Sequence, residues 1–415
     1  MTYPRMYRVR QRFSREREPD VRSAVARELQ RVSRSLEIRK GARIGVAVGS
    51  RGIRDIALVT RALVDRLAAA GASPFIFPAM GSHGGATAEG QAAVLRHYGI
   101  TEETMGCPIL SSLETVQLGT SKEGIPVFVD HHAAAADHVV AINRVKAHTE
   151  FKGELESGLA KMLLIGMGKC VGARIYHSAF ADLGFDRIVE SVLPIVIEKA
   201  RLLFGLAILE NAYEETALIR AVLPRDILVE ERDLLRRAKA MAPRLPFDNI
   251  DVLIVDEMGK NISGSGMDTN VIGRFYNHVA REPEKPRIKR IFVRDLTDES
   301  DGNATGVGLA DFVHRAVVRK MDAVATNRNC ITASNPEKAR IPIVCESDRA
   351  AVEACLATIG LTPSDRARVV RIQNTLQLAE LQFSDALAAE RAVTEIEILS
   401  GPNAMEFDAA GRLLD

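Results

Sequence analysis

The stretch ARIGVAVGSRGIRDIALVTRALVDRLAAAGASPFIFPAMGSHGG, residues 42–85, decides the fold class. Ala42–Val48 is a short apolar run closed by the turn Gly49-Ser50-Arg51-Gly52. The next segment has the length and apolar spacing of a helix, and Gly71 stops it. A second apolar run, Ser73–Met80, ends in Gly81-Ser82-His83-Gly84-Gly85. Strand, helix and strand in this order favour a parallel sheet with right-handed crossovers. Loops at the carboxyl ends of such strands gather ligand-binding groups. GSRG and GSHGG are two of them, and RVKAHTEFKG, residues 144–153, is a third.

Working outward, Val21, Val25, Leu29, Val32 and Leu36 recur at helical spacing over residues 20–36. Downstream, TAEGQAAVLRHYG predicts a helix capped by Thr87 and stopped by Gly99. TVQLGTSKEGIPVFVD then reads as a hairpin turning at Lys122-Glu123-Gly124. His131 and His132 close it, and on a strand they would point to opposite faces, away from any shared metal. The segment 185–211 is helical and then strand-like, and 230–247 is a charged helix ending at two prolines. Near Phe247 the pattern restarts with NIDVLIVDEMGKNISGSGMDTN. The expected architecture is therefore α/β in two domains, 1–245 and 246–415. Each is a mostly parallel or mixed sheet flanked by helices, with an active site in the interdomain cleft.

Composition excludes several classes. A formal net charge of +1 gives no general attraction for nucleic acid or an anionic membrane. Residues 1–40 do carry twelve Arg/Lys against five Asp/Glu. That excess reads as a solvated helix face, with an anionic substrate or a neighbouring subunit as the other use of it. The five cysteines contain no C-x-x-C pair, so neither a zinc knuckle nor a disulfide framework is indicated. No run of eighteen apolar residues occurs, and MTYPRMYRVRQRF is not a signal peptide, so a soluble cytoplasmic protein is expected.

The chemistry concentrates in AINRVKAHTEFKGELESGLAKMLLIGMGKCVGARIYHSAF, residues 141–180. His148, Lys161 and His177 fall within thirty residues, separated by Gly153, Gly158, Gly166, Gly168 and Gly172, in a chain with nine histidines. GMGKCVGA at 166–173 has the spacing of neither G-x-G-x-x-G nor the P-loop. Two readings stand for Lys161. Its apolar surroundings make it an activated amine, or its stem packs while its head reaches water. His83, held on a loop otherwise cleared of side chains, reads as functional, whereas His97, His278 and His314 read as surface or structural groups.

Taken together, GSHGGATAEG, with Thr87 and Glu89 four and six residues after His83, and the sixteen-residue spacing from Lys161 to His177 resemble the nickel-dependent lactate racemase family. The likeness covers roughly residues 40–180. It implies a cofactor, a nickel-pincer nucleotide (pyridinium-3-thioamide-5-thiocarboxylic acid mononucleotide). Lys161 would attach it, Arg51 would contact it or the anionic substrate, Gly158 and Gly166 would contact the cofactor, and His177 would ligate the nickel. It also implies an isomerase, a 2-hydroxy acid racemase or epimerase acting by reversible hydride transfer to that group. His83 and His148 would be the two acid/bases. Asp268 and Asn270 match a D-x-N loop that faces the site in the family. Val48 stands where an aspartate is expected before Arg51, and the stretch between His148 and Lys161 is longer than the family's. Gly273 and Tyr276 replace a Gln and a Lys after Asn270, leaving Lys260 and Arg274 as the nearest cations. That departure argues for a larger or more polar 2-hydroxy acid than lactate. Implied partners are this small molecule and the cofactor-biosynthesis proteins, with a homo-oligomer allowed. The alternatives are a metal-dependent hydrolase or lyase using His83, His148 and His177, and a non-catalytic protein that binds the cofactor or an anionic metabolite.

Overall fold

The computed structural model describes residues 1–50, 52–276, 282–390 and 392–414. It divides into two compact units. One comprises Arg15–His148 and Lys152–Ala242; the other comprises Met1–Ser14, Thr149–Phe151 and Pro243–Asp415.

The chain opens with strand β1 (Arg5–Arg12), which pairs antiparallel with two strands of the C-terminal half. The basic N-terminal excess is therefore only partly a helix face. Arg8, Arg10 and Arg12 line the exposed side of a strand and pair with Glu380 and Glu397, while Met6, Val9 and Gln11 turn inward. The helix expected next is present as α1 (Val21–Val32), with Asp20 as its N-cap.

In the Arg15–Ala242 unit, the chain follows the β-α-β reading closely. Strand β2 (Arg43–Val48), helix α2 (Ile56–Ala69) and strand β3 (Ser73–Pro78) follow in order. Helix α3 (Ala88–His97) begins at Thr87, whose side chain accepts from the Gly90 N–H. A hairpin, β4 (Thr115–Thr120) and β5 (Pro126–Asp130), turns where Lys122–Gly124 predicts. Strands β6 (His138–Arg144), β7 (Leu202–Glu210) and β8 (Thr216–Val222) complete a five-stranded sheet in the order β3-β2-β6-β7-β8. All neighbours are parallel except β7 and β8. Ile44, Val46 and Val48 face the core shared with α1 and α2. Connections leave β2 toward β3 and β6 toward β7, in opposite directions, so the carboxyl ends of β2 and β6 form a topological switch point. Two further helices, α4 (Lys169–Leu183) and α5 (Phe185–Lys199), precede β7, and α6 (Ile227–Met241) follows β8.

The second unit holds an eight-stranded mixed sheet. After β9 (Asn249–Met258) come β10 (Arg287–Leu296), β11 (Phe312–His314), β12 (Ile343–Cys345), β13 (Val369–Ile372), β14 (Glu380–Ser384) and β15 (Glu395–Ala404). The order is β12-β11-β10-β9-β13-β14-β1-β15. Alternate residues of β9 enter different cores, Leu253 and Val255 on one face and Val252 and Ile254 on the other. Burial on both faces is why β9 reads as a continuous apolar run in sequence.

His131 and His132 differ from expectation. They open a helical turn after Asp130, and their rings lie 3.8 Å apart instead of on opposite faces. Among the described residues no helix is long and apolar enough to cross a membrane.

Candidate active site

At the carboxyl ends of β2, β3 and β6, three loops pack against one segment, residues 158–173. Gly49, just past β2, leaves room for the Met162 methyl, which would stand 2.8 Å from a Cβ there. Beyond β3, a Cβ on Gly81 would lie 3.2 Å from that of Ala173. Asn143, on β6, donates from Nδ2 to the Gly158 carbonyl at 2.6 Å.

His83 stands before the turn Gly84–Ala86, half-buried. Gly84 has φ +63, and a Cβ on it would come within 2.3 Å of the Gly90 carbonyl carbon. Backbone thus rests on backbone, and the histidine loop is pinned to the first turn of α3. A buried polar knot ties the same loop to α4. Lys169, fully buried, donates from Nζ to the Pro78 carbonyl at 2.5 Å and to Gln91 Oε1 at 3.0 Å. Its charge is met by Asp130 at 3.0 Å. Burial lowers the Lys169 pKa, and Asp130 opposes that shift. Gln91 in turn donates to the Met80 and Gly81 carbonyls. His177 sits two turns along α4 from Lys169, half-buried and edge-on to Phe180 at 5.7 Å.

His148 is 7% exposed, and its backbone N–H donates to Glu156 Oε2 at 2.7 Å. Its Nε2 is in hydrogen-bond contact with Lys161 Nζ. Lys161 closes a three-residue helical turn, Leu159–Lys161, and the chain continues as one π-helical turn, Met162–Gly166. Such turns recur at functional sites. Gly158 and Gly166 are required by close approach: a Cβ would lie 2.5 Å from Glu231 Oε1 at the first, and 2.7 Å from the Ala79 carbonyl oxygen at the second.

Arg51 lies outside the described residues, as does His278. Asp268 and Asn270 belong to the second unit, where Asp268 Oδ1 accepts from both the backbone and the side-chain amide of Asn270. In that unit Arg274, one of the two nearest cations, is engaged within the fold. It is buried, donates to the Leu309, Ile288 and Lys289 carbonyls, and pairs with Asp311 at 2.8 Å. Lys260 is half-buried and donates to the Gly264 carbonyl and Asn329 Oδ1.

Sequence reading missed Glu231. It lies on α6 in the buried stripe Ile227, Leu234, Leu235 and Ala238, and an acid at the spacing of apolar positions was the available signal. Its Oε2 accepts the Ala160 N–H at 2.9 Å. Burial pushes its pKa up to about 7, against the pull of the Ala160 and Leu159 N–H groups. The buried Glu156, anchored by Lys239 Nζ at 2.6 Å, was missed as well.

Residues 7–183 match the lactate racemase N-terminal domain. Over this part, less than half of its length, the chain is similar to that domain. Most of the chain is similar in fold to the lactate racemase apoprotein of Thermoanaerobacterium thermosaccharolyticum. There the identity is 15%, the TM-score is 0.54, and 89% of this chain and 93% of that chain are covered. A Thermotoga maritima protein gives 14% identity over 68% of this chain and 72% of its own, with a TM-score of 0.47. No curated protein matches. The lysine and histidines of residues 83–177 all fall inside the matched part.

The residues fit the implied cofactor in one respect: Lys161 presents an amine beside an imidazole in a segment cleared by glycines. Among the described residues no group of three His, Cys, Asp or Glu is gathered for a metal.

Proposed function

We propose that this protein is a racemase or epimerase of a 2-hydroxy acid that works with a nickel-pincer nucleotide. The observation that carries the reading is the Lys161–His148 contact inside the lactate racemase-like part of the chain. Lys161 would hold the cofactor covalently, Gly158 and Gly166 would let it approach the backbone, and His177 would be the protein's ligand to nickel. The bound group would supply a reversible hydride acceptor for the substrate's C2 hydrogen. For attachment, the Lys161 amine must lose its proton, and His148 Nε2 is the acceptor within reach. In turnover, His83 and His148 would take and return the hydroxyl proton, work suited to imidazole at neutral pH. Glu156 holds the His148 backbone still for this. Arg51, Asp268 and Asn270 enter the reading on family likeness alone.

The hydrolase alternative lacks a three-ligand cluster among the described residues. Intact mass and nickel content after co-expression with the cofactor-making enzymes test the proposal, with Lys161→Ala as control. A mass increment lost in the control, together with exchange of the C2 hydrogen in a panel of 2-hydroxy acids, is the expected result. Adduct and nickel without any exchange would leave a binding protein; no adduct under these conditions would remove the proposal.

A further inference from the structure

Helix α6 supports both members of the Lys161–His148 contact. Glu231, 1% exposed, accepts the Ala160 N–H on Oε2, and the Leu159 N–H is also directed at its carboxylate. Two turns later, about 12 Å along the axis, Lys239 binds Glu156, whose other oxygen takes the His148 N–H. We infer that Glu231 is a positioning residue: it fixes the turn that sets the Lys161 amine against His148, while the Lys239–Glu156 pair fixes the histidine.

The physical need is specific. A three-residue turn leaves its first N–H groups without helical partners and cannot hold its shape alone. The carboxyl group beneath it offers its oxygens to two of them. The acid can come this close only because Gly158 has no side chain, since a Cβ would stand 2.5 Å from Oε1. At an inward position between Ile227 and Leu234 an apolar residue would pack at no desolvation cost. The acid's use is the turn it caps.

This inference rests on reading Lys161 and His148 as the reactive pair, but its test does not require turnover. Glu231→Ala and Glu231→Gln are made in the full chain. Trace acetylation by acetic anhydride gives the rate at Lys161 relative to exposed Lys122, and hydrogen exchange reads the amides of residues 158–163. In Glu231→Ala the Lys161 rate is expected to change about fivefold and the Leu159 and Ala160 amides to exchange about tenfold faster, with α6 itself unchanged. Glu231→Gln keeps one carbonyl acceptor and is expected to bring the Lys161 rate most of the way back. An unchanged Lys161 rate in folded Glu231→Ala, or faster exchange spread through α6 and the core, overturns the inference. If Glu231→Ala does not fold, Gly158→Ala displaces the carboxylate from the other side and is read the same way. A wild-type chain inert toward 2-hydroxy acids would remove the proposed function and leave this result intact.

Discussion

Asp130 and Lys169 form an ion pair with neither side chain exposed, Oδ2 to Nζ 3.0 Å. The pair joins the end of the hairpin to the start of the helix that carries His177, and Lys169 extends the link to the loop after β3.

Breaking this pair from the acid side is expected to cost most. Asp130→Asn leaves a buried ammonium facing neutral acceptors, a loss of about 3–5 kcal/mol. Lys169→Met is expected to cost less, because Asp130 Oδ1 still accepts the His132 and Ala133 N–H groups. Urea unfolding of the two variants measures the difference, and equal losses would show that the anion depends on the lysine as strongly as the reverse.

Glu231 should make stability depend on pH. Its folded pKa, about 7, lies above the ordinary 4.5, so the folded state holds the proton more tightly than the unfolded chain. The resulting stabilisation is fully present below about pH 4.5 and is lost as pH rises to about 7, on the order of 3 kcal/mol in all. Glu231→Gln cannot ionise there. Unfolding free energies of wild type and Glu231→Gln should therefore diverge between pH 5 and pH 8, with wild type falling relative to the variant.

The His83 loop offers a comparison of two glycines. Gly85 has φ +65 and open space around it, so Gly85→Ala should cost about 1–2 kcal/mol from backbone strain alone. A Cβ on Gly90 would lie 1.8 Å from the Gly84 carbonyl oxygen. Gly90→Ala must push the loop away and is expected to cost about 3 kcal/mol, the larger loss in denaturant midpoint.

The two histidines should separate in function. In loaded enzyme, His83→Ala and His148→Ala are each expected to slow C2 hydrogen exchange by about 10²–10⁴-fold. Only His148→Ala should also reduce the Lys161 mass increment, because His148 touches the amine. Equal adduct formation in both variants would remove His148 from the attachment step.

Chain order and side-chain pattern by themselves determined the strand-helix-strand start at residues 42–85, the Thr87 cap, the hairpin at Lys122–Gly124 and the glycine-spaced segment holding Lys161. These are local effects: periodicity, capping and turn chemistry act over a few residues. Only the tertiary structure decided that Arg5–Arg12 is a strand between β14 and β15, because pairing partners almost 400 residues away outweigh a local run of positive charge. It likewise made Arg274 a buried donor to backbone carbonyls, and it placed Glu231 beneath the turn Leu159–Lys161. The physical reason is common to all three. What a charged side chain does depends on which distant groups meet it once water is gone, and that is written in packing rather than in spacing.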